Sequence, residues 1–318
     1  MRVLITGAQG FIGTTLARSL HARGEVGGRP LEALALTDRD LTPTSAAVSG
    51  AQAIAGNLLG AGVHEAIRQF RPDITFHLAS VPGGAAEADY ETGRRTNLDA
   101  SLALFETLAQ QGRRPVVVFA SSIAVYGSAL PPVVAPATSL NPPLTYGAHK
   151  LACEILLADL SRRGQLDGRS LRLPGIVARP QSRAGLASAF MSDLLHALSE
   201  GRSYTCPVGP LATAWWMSAA RCAENLLHAA TMDLSEADPR RAWPLPVLRL
   251  SMQEVVAAGA ALFGADRQTL VQYEGQEALE AVFGRYPALD DSDSRALGLR
   301  DDGDATALIR RALSLDGA

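Results

Sequence analysis

A serine, a tyrosine and a lysine lie in two nearby segments, SSIAVYG (121–127) and TYGAHK (145–150). On a helix, Tyr146 and Lys150 are four residues apart and share one face. A free phenol has a pKa of about 10, and a nearby ammonium group favours its ionised form. Tyr146 is therefore a candidate general base for the proton of an alcohol. Ser122 is a candidate donor that orients the same hydroxyl and stabilises the developing oxyanion.

The elements that must position these residues begin at the first strand. An apolar run, RVLIT, stands near the start of the sequence, and Gly7, Gly10 and Gly13 follow it at intervals of three residues. Apolar residues with a helical spacing come next. Bare glycines between a strand and a helix let the backbone approach a ligand, and the free N–H groups of the helix N-terminus suit a pyrophosphate. This pattern predicts a dinucleotide site. The alternative is a tight turn without a ligand.

A second apolar run, LEALALTD, ends at Asp38, 25 residues after Gly13. A carboxylate there accepts hydrogen bonds from both ribose hydroxyls of adenosine and repels a 2′-phosphate, which favours NAD over NADP. Arg39 follows directly and could accept a 2′-phosphate instead, and a turn-capping role is the alternative for Asp38. Asn57 and Leu58 end the next short strand, so we expect them near the adenine.

Strands and helices continue to alternate through the first half of the chain. The predicted strands are 73–80, 115–122 and 168–177, and the predicted helices are 62–70, 94–111 and 144–163. This order predicts an α/β fold with a doubly wound parallel sheet of the Rossmann type, formed by a nucleotide-binding domain at 1–180. Helical patterns at 186–201 and 251–264 predict a small C-terminal cap domain within 181–318, with some segments returning to the first domain.

Composition limits the kinds of partner. The 318 residues carry a formal charge of −3 and are 47% hydrophobic, and no apolar run approaches the roughly 18 residues of a membrane span. We therefore expect no nucleic-acid partner and no membrane partner. The three cysteines and six histidines form no cluster typical of a disulfide framework or a metal site. The few scattered cysteines favour burial and a reducing, cytoplasmic setting.

The motifs TGAQGFIG, HLAS, SSIAVYG and YGAHK, with Asn97, resemble those of the extended short-chain dehydrogenase/reductase superfamily, which includes NAD-dependent epimerases and dehydratases. The resemblance is close over about 1–180 and looser beyond. It implies hydride chemistry by Ser122, Tyr146 and Lys150, with Lys150 also touching the nicotinamide ribose. The serine of this superfamily lies three residues before VYG, which selects Ser122 over the residue before it. Asn97 is expected to be structural.

The resemblance also implies where the cofactor and a partner subunit bind. The expected NAD-binding residues are Gly7, Gly10, Phe11, Ile12, Gly13, Asp38, Asn57, Leu58, Leu78, Ala79, Ser80, Tyr146, Lys150 and Pro174. Helices 94–111 and 144–163 resemble the pair that forms a four-helix dimer interface in the superfamily. A homodimer is therefore expected.

Two features separate the chain from the nucleotide-sugar enzymes of this superfamily. Sugar dehydratases carry an Asp–Glu pair at the positions held here by Ile123 and Ala124. The stretch LATAWWMS (211–218) lacks the Arg–Asp pair with which nucleotide-sugar enzymes grip a diphosphate, and its two tryptophans are expected to be packing residues. Elimination and diphosphate binding are therefore disfavoured.

Longer segments, among them SVPGGAAEADYETGRRTNLDA and RALGL, resemble the D-erythronate dehydrogenases within that superfamily. This likeness implies NAD-dependent oxidation of a short sugar acid at C2, with D-erythronate giving 2-dehydro-D-erythronate. A UDP-sugar 4-epimerase that retains its NAD is the alternative. A redox-sensing binding protein is a further alternative, but such proteins commonly lose the tyrosine or the lysine, and both are present here.

The candidate substrate-binding residues are Ser80, Ser122, Ile123, Tyr146, Arg179 and Arg183. The two arginines are candidates for the carboxylate because a guanidinium group binds a carboxylate in a bidentate geometry. An ordinary surface position is the alternative for each of them. His149, inside the Tyr–Lys segment, is expected on the solvent side of its helix.

Overall fold

The computed structural model describes residues 1–41, 48–180, 188–235 and 237–315. Its strands are β1 (Arg2–Thr6), β2 (Glu25–Val26), β3 (Arg29–Pro30), β4 (Ala33–Asp38), β5 (Gln52–Ala55), β6 (Ile74–His77), β7 (Val116–Ser122), β8 (Val133–Val134), β9 (Asp167–Leu173), β10 (Gly175–Val177), β11 (Tyr204–Cys206), β12 (Thr213–Ser218), β13 (Ala242–Pro244), β14 (Leu248–Ser251), β15 (Val271–Tyr273) and β16 (Ala288–Leu289).

The helices are α1 (Phe11–Arg23), α2 (Ala61–Phe70), α3 (Gly83–Ala88), α4 (Tyr90–Arg94), α5 (Ala100–Ala109), α6 (Thr145–Arg162), α7 (Ala189–Glu200), α8 (Ala219–Ala229), α9 (Met252–Phe263), α10 (Glu277–Phe283), α11 (Ser292–Ala296) and α12 (Ala305–Ala312). A π-helical turn (Arg95–Asp99) joins α4 to α5, and 3-10 turns span Ile123–Tyr126 and Ala265–Leu270. In the part of the chain that the structure describes, no helix is long and apolar enough to cross a membrane.

The main sheet has seven strands in the order β13-β9-β7-β6-β1-β4-β5, and every neighbouring pair is parallel. The direction in which the chain builds the sheet reverses between β1 and β6. Open sheets of this type bind ligands at the carboxyl ends of the strands beside such a reversal. The predicted doubly wound, Rossmann-type fold is confirmed.

The central strands are apolar along their whole length because helices cover both faces of the sheet. In β1, Val3 and Ile5 pack in a core cluster with residues of α1 and α8. Leu4, which points to the other face, packs with residues of α2 and α5. The run RVLIT therefore forms a strand buried on both sides, as predicted.

The predicted strand 168–177 is divided, so this prediction is wrong. Its first part is β9 in the main sheet, whereas its second part is β10, which pairs with β12 in a three-stranded sheet of order β10-β12-β14. Pro174 lies between the two strands. Proline has no N–H with which to continue the hydrogen-bond ladder.

The predicted helix 94–111 also differs from the structure, and the Pro-rich loop at 130–144 carries a short strand. The helix is interrupted by the π-helical turn at Arg95–Asp99, a change that the spacing of apolar residues does not mark. The loop contains β8, which pairs with β16 from the far end of the chain. A two-residue strand of this kind depends on its distant partner and has no local signal.

The second half of the chain contributes to two cores. Residues of α7, α9 and α12 pack with those of β12 in a core of their own. The short strand β13, in contrast, joins the edge of the main sheet beside β9. The indole N–H groups of Trp215 and Trp216 donate to the carbonyl groups of Pro287 and Leu250, and both side chains are buried as packing residues.

Candidate active site

The glycine turn, residues 7–13, joins β1 to α1 at the reversal of the sheet. Gly7 has a φ of +68°, and a Cβ on it would lie 2.6 Å from the backbone nitrogen of Ala79, just beyond β6. A Cβ on Gly13 would overlap the carbonyl oxygen of Gly7. Gly10 is the N-cap of α1 and has no side chain with which to cap the first N–H groups. This backbone therefore fits a pyrophosphate at the helix N-terminus.

Asp38 lies beside the glycine turn, at the end of β4. Its Oδ2 accepts a hydrogen bond from the backbone N–H of Gln9 at 2.9 Å. Arg39 is turned toward Asp40, with 3.2 Å between Nε and Oδ2, and both side chains are 80% exposed. Asn57 follows β5, which pairs with β4. The structure thus brings Asp38 and Asn57 to one edge of the predicted dinucleotide site.

Lys150 connects α6 to β7 beneath Tyr146. Its Nζ donates to the carbonyl oxygen of Ala120 at 2.7 Å and lies 5.6 Å from the centre of the Tyr146 ring. The lysine side chain is 2% exposed, whereas the tyrosine is half-buried. Lys150 therefore places a buried positive charge beside the Tyr146 ring.

Ser121 and Ser122 are neighbours at the end of β7, and the pleat of the strand points their side chains in opposite directions. The Oγ of Ser122 accepts from the backbone N–H of Ala124 at 3.1 Å, which caps the following 3-10 turn and leaves the O–H as a donor. Ser121 is buried and donates instead to Glu154 on α6. Successive residues of a strand point to opposite faces, so the two hydroxyl groups have different partners.

We define the α6–β7 network as Ser121, Tyr126, Lys150, Glu154 and Arg172. Glu154 lies one helical turn beyond Lys150 and accepts from Arg172 Nε at 3.0 Å and from Arg172 Nη2 at 2.8 Å. Arg172 Nη1 donates to the Tyr126 hydroxyl at 3.1 Å. All five side chains are buried. The network binds the strand end that carries Ser122 to the helix that carries Tyr146.

Sequence reasoning missed Glu154 and Arg172. Arg172 stands within the apolar run SLRLPGIV, and an arginine in a strand buried on both faces requires a buried partner. Glu154 lies four residues after Lys150 on the same face of α6, so it is a candidate partner for Arg172. That signal was present in the sequence.

The loop after β6 lies against Tyr146. Asn97, in the π-helical turn, accepts from the N–H of Val81 at 2.7 Å and donates to the carbonyl of Val81 at 3.0 Å. A Cβ on Gly83 would lie 3.7 Å from the Cβ of Tyr146. Ser80, half-buried in this loop, is thereby held on the same side of the molecule as Tyr146. Asn97 thus fixes the backbone of Val81.

His77 lies under this loop at the end of β6. Its Nδ1 shares a hydrogen bond of 2.7 Å with Thr6 Oγ1, and its Nε2 shares one of 2.8 Å with Ser101 Oγ. Burial, with a smaller effect of Lys150, lowers the pKa of His77 to about 3. The imidazole is therefore neutral and structural near neutral pH.

Arg179 reaches the site from the segment after β10. Its guanidinium carbon lies 5.9 Å from the centre of the Phe11 ring, in the first turn of α1. Burial lowers the pKa of Arg179, and the charge of Tyr146 acts in the opposite direction, so the two groups are within electrostatic reach. Pro174 is buried between β9 and β10. Arg183, the second predicted arginine, lies outside the described residues.

The remaining predicted residues differ in how far they are buried. Leu78 and Ala79 follow β6 beside the glycine turn, and they are half-buried. Ile12 in α1 and Ile123 in the 3-10 turn are also half-buried, whereas Leu58 is buried in the core. Among the described residues, no group of three or more His, Cys, Asp or Glu side chains is arranged to hold a metal ion.

His149 is 6% exposed, so its predicted position on the solvent side of α6 is wrong. The ring of Tyr90, in α4, lies 6.1 Å away and covers it. Burial lowers the pKa of His149. The local pattern of α6 gives no indication of α4, which reaches the helix only in the folded chain.

Comparison with known proteins agrees with this architecture. The model of the NAD dependent epimerase/dehydratase family matches residues 3–232. The chain is 37% identical over 314 residues to D-erythronate dehydrogenase of Cupriavidus necator, covering 98% of this chain and 97% of that protein. It is 29% identical over 323 residues to D-erythronate dehydrogenase of Haemophilus influenzae, covering 99% and 100%.

A solved structure, described as the nucleoside-diphosphate-sugar epimerase from Agrobacterium tumefaciens, superposes with a TM-score of 0.91 at 31% identity. It covers 100% of this chain and 95% of that chain. The protein therefore belongs to the NAD dependent epimerase/dehydratase family. It is an NAD-dependent oxidoreductase, as the sequence predicted.

Proposed function

We propose that this protein oxidises the C2 hydroxyl of a short sugar acid, D-erythronate, to 2-dehydro-D-erythronate. The observation that carries this proposal is the position of Arg179, whose guanidinium lies over Phe11 and within electrostatic reach of Tyr146. A cation there is suited to a substrate that carries a carboxylate beside the reacting hydroxyl. The two relatives named D-erythronate dehydrogenase support the same substrate.

The cofactor that we propose is NAD, which supplies the hydride acceptor when it is bound. The backbone of residues 7–13 would hold the pyrophosphate, since its close contacts exclude side chains and its helix N-terminus attracts phosphate. Asp38 would bind the adenosine ribose, with Asn57 and Leu58 beside the adenine. NAD is favoured over NADP because Asp38 repels a 2′-phosphate and because Arg39 is paired with Asp40.

The nicotinamide half would lie along the carboxyl ends of β6, β7 and β9. The residues proposed to contact it are Leu78, Ala79, Ser80, Tyr146, Lys150 and Pro174. This region is shared by the loop that Asn97 holds and by the helix that Lys150 binds to β7. The C2 carbon of the substrate would therefore face the ring from the side of Tyr146.

Tyr146 would act as the general base. As a phenolate, Tyr146 would take the proton of the C2 hydroxyl while the C2 hydrogen leaves as a hydride, which the bound NAD would accept. Ser122 would donate a hydrogen bond from its hydroxyl to the same oxygen, which orients the alcohol and stabilises the charge that develops on it. Ser80 and Ile123 would complete the wall of the site.

The carboxylate of the substrate would pair with Arg179, and Arg183 remains a second candidate. In this arrangement residues 1–180 bind NAD and carry the catalytic groups, and residues 181–318 mainly enclose the substrate. Holding the carboxylate at one point and the hydroxyl between Ser122 and Tyr146 fixes the orientation of C2. Such positioning is itself a large part of catalysis.

We also propose that the protein is a homodimer formed through α5 and α6. Ile155 and Leu156, on the outer face of α6, are 62% and 40% exposed. Neighbouring exposed apolar side chains of this kind are typical of interaction surfaces. Packing of α5 and α6 against the same helices of a second copy would remove them from water.

A nucleotide-sugar epimerase is the second candidate function. It is favoured by the solved structure with a TM-score of 0.91, whose description names a nucleoside-diphosphate-sugar epimerase. An epimerase converts its substrate without net production of NADH. One assay with several substrates therefore separates the two functions.

The experiment measures NADH formation with D-erythronate, with the uncharged alcohol erythritol and with UDP-glucose. We expect the highest rate with D-erythronate and NAD, a much lower rate with NADP, and no NADH from UDP-glucose. Arg179→Ala removes a hydrogen bond to a charged group, worth about 1.5–3 kcal/mol, and should raise KM for D-erythronate about 10- to 150-fold. Conversion of UDP-glucose without net NADH would replace this proposal by the epimerase.

A further inference from the structure

The backbone of Arg179 is held by two side chains of α7. Its N–H donates to Ser192 Oγ at 3.0 Å. Its carbonyl oxygen is paired with His196 Nε2 at 2.9 Å, and the ring nitrogen is the donor because a carbonyl oxygen only accepts. Ser192 and His196 are one helical turn apart on α7 and so face the same peptide segment.

These two contacts stand at a point where the regular structure has ended. β10 ends at Val177, and Arg179 lies beyond the strand. The backbone N–H and C=O of Arg179 therefore form hydrogen bonds with side chains of α7 rather than with a neighbouring strand. A serine hydroxyl and an imidazole here take the place of a sheet ladder.

The helix that holds Arg179 is itself fixed in the second core. Leu194, Leu195 and Leu198 of α7 are buried in the cluster formed with β12 and α9. Met191 packs so closely on β10 that a Cβ on Gly175 would lie 2.7 Å from its Cε. The segment is thus anchored to the substrate half of the molecule, while the guanidinium of Arg179 rests on Phe11 in the cofactor half.

We infer that Ser192 and His196 are positioning residues for substrate binding, which act by holding the Arg179 backbone so that its guanidinium meets the substrate carboxylate. This inference rests on the proposed function and goes beyond it, because it places part of the affinity for the acid in residues that do not touch the substrate. An arginine with an anchored backbone loses less conformational freedom when it pairs with a carboxylate.

The test compares KM for D-erythronate, kcat and the Kd for NADH in Ser192→Ala, His196→Leu and His196→Gln. Each of the first two variants removes one neutral hydrogen bond and should raise KM roughly 2- to 12-fold, with kcat and Kd for NADH within about twofold of wild type. His196→Gln retains a nitrogen donor and should restore most of the affinity. Ser199→Ala is the matched control, since the Ser199 hydroxyl bonds within α7 to the carbonyl of His196.

A double-mutant cycle separates this inference from the proposed function. With Arg179→Ala as the background, Ser192→Ala and His196→Leu should produce no further rise in KM, because the group that they position is gone. Equal effects with and without Arg179 would overturn the inference and leave the proposed function standing. An unchanged KM in Arg179→Ala itself would overturn the assignment of this arginine to the carboxylate, and with it the inference.

Discussion

The glycine turn and the α6–β7 network both lie at the carboxyl ends of parallel strands, but different contacts fix them. The glycine turn is set by backbone atoms, such as the approach of Gly13 to the carbonyl oxygen of Gly7. The network is set by buried charged side chains, with Glu154 paired to Arg172 18 residues further on and to Ser121 33 residues earlier. The first is specified within one short segment, and the second only by the folded chain.

This difference determines what each region tolerates. The glycine turn has no buried charge to satisfy, and its constraint is steric, so any side chain at Gly13 meets the carbonyl of Gly7. The network contains a carboxylate and a guanidinium with 3% and 6% exposure. Removing one of them leaves the other charged and without its partner in the interior, which is costly.

The largest expected effect comes from breaking the network at Glu154. Glu154→Leu leaves the Arg172 guanidinium buried with only the Tyr126 hydroxyl from the network, and should lower the free energy of unfolding by about 3–5 kcal/mol, as measured by urea denaturation. The double variant Glu154→Leu with Arg172→Met removes both charges and should recover most of that loss.

The matched control for Glu154 is on the same helix. Asp159 pairs with Arg162 at 2.6 Å, but their side chains are 45% and 75% exposed. Asp159→Leu should therefore change the stability by less than about 1 kcal/mol. Similar losses in the buried and exposed variants would show that burial of charge does not distinguish the network from the surface of α6.

The second prediction concerns the chemistry that the network supports. Tyr146→Phe removes the proposed base and should lower kcat by about 10²-fold or more, with little change in the Kd for NADH, because the ring still fills the site. Steady-state kinetics and NADH fluorescence measure the two effects. Tyr90→Phe, an identical change on a side chain that is 60% exposed, is the control. Unaltered turnover in Tyr146→Phe would exclude this residue from the chemistry.

The same comparison explains how far the sequence could be read. The strand β1, the glycine turn and the Tyr–Lys spacing each depend on neighbouring residues, and the sequence predicts them with nearly the observed bounds. The pairing of β10 with β12 after Pro174 and the burial of His149 depend on packing partners from distant segments. The local spacing of apolar residues does not depend on such distant partners and cannot predict them, so those predictions were wrong.

Arg179 lies between these two cases. The sequence offered it as a candidate because of its chemistry alone, and nothing nearby indicated the two α7 side chains that hold its backbone. The serine and the histidine are at ordinary positions of an amphipathic helix. Only the fold shows that they face a peptide segment in need of hydrogen-bond partners.

The effect that we expect to be smallest per pH unit is a pH dependence of stability at His77, which connects Thr6, just before the glycine turn, to Ser101 on α5. Burial lowers the pKa of His77 from 6.5 to about 3. Below pH 6.5 the unfolded chain therefore takes up a proton that the folded chain does not. The free energy of unfolding should fall as the pH falls from 6.5 toward 3, by up to about 1.4 kcal/mol per pH unit.

His77→Gln retains hydrogen-bonding groups and removes this titration. Its free energy of unfolding should be lower than that of the wild type at about pH 7.5. Between about pH 6.5 and 5.5, however, that free energy should fall less steeply with pH, and the difference in slope should correspond to up to about one bound proton. His149, whose pKa is also lowered by burial, titrates in both proteins and cancels from the difference. Urea denaturation at half-unit pH steps measures the two curves. Parallel curves over this range would mean that His77 binds its proton equally well in the folded and unfolded chains, and that the contact between the glycine turn and α5 is open to water.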